Sequence, residues 1–163
     1  MTGRFFIDGE AHADEPFVYR ISGLDEVVLL NGFERVETDY GDGIVIANMD
    51  DLHIAIALDI IANRKILGPR EFRFLRREMD LTQNRLGDQL GIDGQTVARY
   101  EKGETRISGP ADRLVRFLFV FKLLPQDMQK EIIDQIVDTI DRDDTTYGPT
   151  KFTNVEGHWR EAC

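Results

Sequence analysis

Residues 81–103 read LTQNRLGDQLGIDGQTVARYEKG, and the order of helix-starting and helix-stopping residues in this stretch decides the fold. Thr82 is a side-chain acceptor placed to cap a helix, and Leu86 and Leu90, four apart, form the apolar side of a short one. Gly91 supplies the positive φ that stops this helix and turns the chain. Asp93 caps a second short helix, predicted over Gly94 to Lys102, and Gly103 ends it in the same way. On the second helix Val97 and Tyr100 share one side. Gln95 and Arg99, four apart, share another, with Thr96 beside them. Two short helices meeting steeply, with a glycine in the turn, make a helix-turn-helix. In that motif the second helix enters the major groove and presents its N-terminal half to base edges.

The polar side of the second helix has the chemistry for such a task. Arg99 suits guanine O6 and N7, and Gln95 suits adenine N6 and N7, each good bidentate contact discriminating by about 1–3 kcal/mol. Thr96 is placed for a thymine methyl or a phosphate. Thr82 and Gln83 open the first motif helix, where side-chain donors and the helix N-terminus cooperate on a phosphate. Lys102 and Arg106 are further phosphate candidates. Glu101 is expected to brace an arginine rather than to read cytosine.

On these residues the stretch resembles the XRE (Cro/cI-type) helix-turn-helix family, whose pattern is LTQ..LA..LG....TV.R.E.G. Leu81, Thr82, Gln83, Leu86, Leu90, Gly91, Thr96, Val97, Arg99, Glu101, Lys102 and Gly103 agree with it. With FRFLRREMD before it and SGPADRLVRFL after it, the chain is similar to the helix-turn-helix half of MqsA/YgiT-type antitoxins and related regulators. The resemblance spans roughly Leu67 to Leu124, under half the chain. One departure is Gly87, where the family usually has alanine, at up to ~1 kcal/mol of helix propensity. More faintly, the N-terminal part resembles the strand-rich half of the same antitoxins, where cysteines often hold zinc. Those cysteines are absent, so neither metal nor cofactor is expected. Packing on the following helix or on a second subunit must then stabilise the small sheet.

Charge is divided along the chain. The formal net charge of the 163 residues is −10. From Arg64 to Lys122 there are 13 basic and 8 acidic side chains, a net of +5, whereas the remainder holds 7 and 22, a net of −15. A phosphate responds to charge within a Debye length of ~8–10 Å, so the local sign matters more than the total. Cys163 is the one cysteine and the last residue, which excludes an internal disulfide and a cysteine-based zinc site. No apolar run approaches the ~20 residues of a membrane span, and the N-terminus lacks a basic-then-apolar signal. A cytoplasmic, nucleoid-associated protein with no membrane role is expected.

The whole reads as an α+β chain: a mainly helical XRE-type helix-turn-helix domain with a small N-terminal antiparallel β meander. Residues 1–49 form the β-rich region, opening with a loose or strand-like arm over Met1 to Glu15. Strand-favouring runs follow at 17–19, 21–24, 27–30, 33–38 and 44–47, with Asn31-Gly32 as a hairpin signal and Tyr40 to Gly43 as another turn. Residues 50–66 form a connecting helix, started by Asp50-Asp51 and apolar on nearly every side, which predicts burial on more than one side.

Residues 67–124 are the helix-turn-helix domain. Pro69 opens its first helix, with Phe72, Leu75 and Met79 inward and Arg70, Arg73, Arg76 and Arg77 outside that stripe. Those arginines make either a solvated face or, above all at Arg76 and Arg77, phosphate contacts. After a loop from Glu104 to Gly109, Leu114, Phe117, Leu118, Phe121 and Leu124 form the stripe expected to close the core, while Phe119 and Val120 lie off it and suggest a second contact face. Residues 125–141 make an amphipathic helix with Met128, Ile132, Ile136 and Ile140 on one face, either core or dimer seam. Residues 142–163 read as a polar, turn-rich C-terminal tail in which Phe152 and Trp159 suggest docking.

An enzyme is the weaker class. His12, His53 and His158 lack metal-ligand spacing, and Asp50-Asp51 and Asp143-Asp144 stand where helix starts and solvated tails want acids. No catalytic residues are assigned. Two binding roles remain. One is a homodimeric repressor on a double-stranded, palindromic operator, its own promoter included, with half-sites spaced roughly 34–36 Å. The other, implied by the resemblance, is an antitoxin that also binds a small basic toxin protein. The acidic flanks suit such a toxin, although solubility alone also accounts for them.

Overall fold

Strand signals in the first fifty residues produce strands, but not the pairing that their order suggests. The computed structural model describes residues 12–142 and 148–162. Most of the N-terminal arm (through residue 11), Asp143-Asp144 and Cys163 lie outside the described residues. The chain forms two compact units, one running to Ile56 and resuming at Gly148, the other beginning at Ala57 and including the helices up to residue 142.

In the first unit, β1 (Phe17–Val18), β2 (Val27–Leu29), β3 (Phe33–Thr38) and β4 (Gly41–Ile46) are followed, at the other end of the sequence, by β5 (Thr150–Val155) and β6 (His158–Glu161). Strands β3 and β4 form a separate antiparallel pair, Phe33 opposite Ile46 and Thr38 opposite Gly41. The larger sheet has the order β1-β2-β5-β6, with β2 and β5 parallel and the outer pairs antiparallel. The expected tail is therefore a hairpin whose first strand lies inside a sheet. Phe152 and Trp159 are buried there. The chain's own C-terminal strands complete this sheet.

The Asn31-Gly32 pair does not make the expected hairpin. It carries the chain out of one sheet and into the other. The Asn31 carboxamide behaves like a short piece of strand: its Oδ1 accepts from the Asn154 backbone N–H at 2.5 Å and its Nδ2 donates to the Asn154 carbonyl at 3.1 Å. Gly32 has φ +71°, and a Cβ there would fall 2.6 Å from the Trp159 ring. The indole Nε1 donates to the Ala47 carbonyl at 2.6 Å, and the Trp159 backbone N–H donates to Asp51 Oδ2 at 2.6 Å. The glycine is thus required by a residue 127 positions away.

The connecting helix α1 (Met49–Asn63) passes from the first unit into the second between Ile56 and Ala57. Leu52, Ile56, Ala57, Ile60, Ile61 and Ala62 are buried along it, as an apolar circumference requires. The second unit continues with α2 (Pro69–Glu78), α3 (Gln83–Leu90), α4 (Gly94–Lys102), α5 (Gly109–Leu123) and α6 (Gln126–Ile140). Pro69 takes the first position of α2, and Phe72, Leu75 and Met79 face inward as expected, joined by Phe74.

Helix α5 is rotated relative to the sequence reading. The buried face carries Ala111, Asp112, Val115, Arg116, Phe119 and Val120. Leu114 and Phe121, assigned to the core stripe, are 39% and 61% exposed. The physical reason is a buried polar group. Arg116 Nε donates to Asp112 Oδ1 at 2.7 Å, and Nη1 donates to the carbonyls of Ile61 at 2.9 Å and Arg64 at 2.6 Å. Asp112 Oδ2 accepts from the Leu67 backbone N–H at 2.7 Å. The guanidinium so covers carbonyls that the end of α1 leaves without helical donors. Helix α6 contributes Ile132 and Ile136 to the core, with Ile140 half-buried and Met128 at the surface. Its Thr139 hydroxyl donates to the Ala62 carbonyl at 2.5 Å.

Candidate nucleic-acid interface

Helices α3 and α4 are short because each is bounded by local chemistry. Thr82 Oγ1 accepts from the Arg85 backbone N–H at 3.1 Å, and Gly91 ends α3 at φ 71°. Asp93 Oδ1 accepts from the Thr96 N–H at 2.6 Å, and Gly103 ends α4 at φ 73°. The Asp93 carboxyl is held below its ordinary value of 3.8, first by the Thr96 backbone hydrogen bond and then by the Thr96 side chain. It stays ionised where the N-terminal partial charge of α4 favours an anion.

Two glycines let these helices approach. A Cβ on Gly87 would lie 2.7 Å from the Ile92 carbonyl oxygen and 3.2 Å from the Gly94 nitrogen. A Cβ on Gly94 would press on Asn84, 3.0 Å from its Cα. Gly87 is therefore more than a weak helix former: the turn backbone rests against it. Behind the pair, Leu86, Val97 and Tyr100 are buried, and the Tyr100 ring meets Phe72 edge-on at 5.6 Å.

Glu101 sits at the centre of the polar bracing. It accepts from Arg76 through both guanidinium positions, Nε to Oε1 and Nη2 to Oε2, the latter at 3.0 Å, and from Gln83 Nε2 at 2.9 Å. Arg76 Nη1 also donates to the Leu81 carbonyl at 2.7 Å. Arg76 thus leaves the expected set of phosphate ligands, because its fork is turned inward to hold α2, α4 and the bend before α3 together. Gln83 keeps one amide hydrogen and its carbonyl oxygen beyond the bond to Glu101, and the capping Thr82 keeps its hydroxyl hydrogen.

On the outer side of α4, Gln95, Arg99 and Lys102 are exposed and Thr96 is half-buried. Thr82, Arg77 and Arg106 are exposed as well, and Gln83 is half-buried. The sequence reading omitted Arg85 and Asn84, both exposed on α3 beside this face. The capping position of Thr82 was the signal, since it sets the rotation of α3. A bidentate-capable arginine and an amide lie on the solvent side of a helix whose other sides are held by a glycine contact, a carboxylate brace and an aromatic core. That arrangement defines a helix-turn-helix DNA-binding domain of the kind carried by transcription regulators. Residues 72–111 match a helix-turn-helix family model, which supports the XRE-type resemblance of the motif. No curated protein and no solved structure gives a match to the chain. Among the described residues, no group of three or more His, Cys, Asp or Glu is arranged to hold a metal ion, and no helix is long and apolar enough to cross a membrane.

Proposed function

We propose that this chain is a sequence-specific regulator that binds a palindromic double-stranded operator as a homodimeric repressor, its own promoter among the targets. The observation that carries the reading is the outward placement of Gln95 and Arg99 on a helix braced from behind by Glu101. Arg99 reads guanine, Gln95 adenine, and Thr96 a methyl group or phosphate. Thr82, Gln83, Arg77, Lys102 and Arg106 contact phosphates. Exposed Leu114 and Phe121 on α5 support a second copy as partner, and a single nine-residue recognition helix offers few base contacts by itself. The protein acts by binding, not catalysis, and works in the cytoplasm on the nucleoid.

Gel shifts on the DNA upstream of its gene and on random duplex test this. Arg99→Ala should erase the preference between the two, a loss of about 1–3 kcal/mol, with the melting curve unchanged. Wild-type affinity should fall steeply with salt as counterions are released. A retained preference in Arg99→Ala sinks the base-reading assignment, and a flat salt dependence sinks DNA as the ligand. Light scattering of the complex that finds one protein per duplex overturns the dimer.

The acidic balance outside residues 64–122, a net of −15, favours a second role as the antitoxin for a small basic toxin. Co-expression with the product of a short basic reading frame beside the gene decides it, by whether the two proteins purify as a stoichiometric complex.

A further inference from the structure

The helical unit holds a cavity of about 360 Å³ that shares only Arg106 with the proposed DNA-contacting set. It is lined by the loop before α5, the first turns of α5, the chain following α1 and the last turns of α6. Its lining combines the apolar side chains of Ile66, Ile107, Ile136 and Ile140 with the cations Lys65, Arg106, Arg113 and Arg116 and, among the described residues, one carboxylate, Asp112. Asp112 and Arg116 are already bonded to each other and to backbone. Arg106 and Arg113 form no ion pair among the described residues.

The position of Arg113 is informative. Its guanidinium folds back over Gly109, where a Cβ would lie 2.7 Å from Nη1, so a cation sits at the first turn of its own helix. The helix macrodipole disfavours positive charge there. In a chain of net charge −10, unpaired cations facing one concave, half-apolar space are an arrangement that an anion stabilises. Its volume lies within the range of small-molecule pockets, and its pairing of apolar side chains with a few convergent polar groups is the usual composition of such sites.

We infer that this cavity binds a small amphiphilic anion: a carboxylate or phosphate monoester held by Arg106 and Arg113, with an apolar body against Ile66, Ile136 and Ile140. A bare phosphate would leave the isoleucines unused, and so would a phosphate of the DNA backbone. The inference is independent of the proposed operator, because its test uses the full chain without DNA.

The probes are octanoate, inorganic phosphate, 1-octanol and octylammonium, followed by calorimetry and by methyl resonances of the isoleucines. Octanoate should bind and shift the Ile136 and Ile140 methyls, with the octanol and octylammonium responses weaker by about tenfold or more. Arg106→Ala and Arg113→Ala, both at exposed side chains, should each weaken octanoate by about tenfold, and Lys122→Ala should not. Ile66→Asp, at a surface position, should abolish octanoate binding by placing a like charge among the apolar side chains. The proposal is overturned if octanoate shifts no isoleucine methyl at millimolar concentration, if the neutral and cationic probes bind equally well, or if the arginine variants bind it unchanged. Phosphate binding as tightly as octanoate, displaced by any duplex, would overturn it too and assign the cations to the DNA backbone.

Discussion

The strand-built unit and the helical unit are stabilised over very different distances along the chain. In the helical unit the decisive contacts of the α3–α4 pair are near neighbours: Thr82 caps at Arg85, Asp93 caps at Thr96, and Gly87 meets Ile92. In the strand unit, β2 pairs with a strand more than 120 residues later, and Asn31 bonds to Asn154. Local contacts leave a local residue pattern. Distant ones require a loop closure that no short pattern announces. The difference explains why the α3–α4 pair was legible and the joining of the strands was not.

Arg116→Ala should give the largest effect. It strips Asp112 of its partner inside the helical unit and frees the carbonyls of Ile61 and Arg64, at a cost of about 3–5 kcal/mol. Phe121→Ala, on the face first assigned to the core, should change stability by no more than about 0.5 kcal/mol. Urea denaturation of the two variants checks both, and the reverse ranking would mean that α5 is turned the other way. Phe152→Ala comes next, at about 3 kcal/mol for a fully buried ring in the middle of the sheet. Hydrogen exchange should locate its effect in the strands. Equal loss of protection in α3 and α4 would erase the contrast between the units.

Gly87→Ala is a finer probe. The gain in helix propensity, up to about 1 kcal/mol, opposes a backbone contact at 2.7 Å, so the net should be a modest destabilisation with weaker operator binding as α4 is displaced. A stabilised variant with intact DNA affinity would show that the turn yields easily. The smallest effect expected is the acid dependence of the α4 cap. Because the Asp93 carboxyl is lowered in the folded chain, its contribution is fully present above the ordinary value of 3.8 and is lost as pH falls through the lowered one. Melting between pH 7 and pH 5 should therefore be the same in Asp93→Asn and wild type in slope, with divergence only in strong acid.

Where the reading of the sequence failed, a specific interaction misled it. On α5, apolar residues occur on both faces, and the face that turns inward includes Asp112 and Arg116. Hydrophobicity sends such residues outward, and only the partners waiting at Ile61, Arg64 and Leu67 justify burying them. Asn31-Gly32 has the composition of a tight hairpin, yet Trp159 and Asn154 determine its use. Arg76 has the composition of a phosphate ligand, yet Glu101 claims it. The brace role of Glu101 was legible, because a carboxylate on the inner flank of a recognition helix is costly to bury without a cation.

By itself the sequence determined the helix-turn-helix: its caps, its glycine stops, the bounds of α4 and the side on which Gln95 and Arg99 stand. Those features follow from backbone preferences and from the 3.6-residue period, which act within one or two turns. Tertiary structure alone decided the facing of α5, the joining of the last strands to the first, and the inward turn of Arg76. Each depends on groups brought together from distant parts of the chain, and the free energy of those encounters belongs to the folded chain and not to any segment of it.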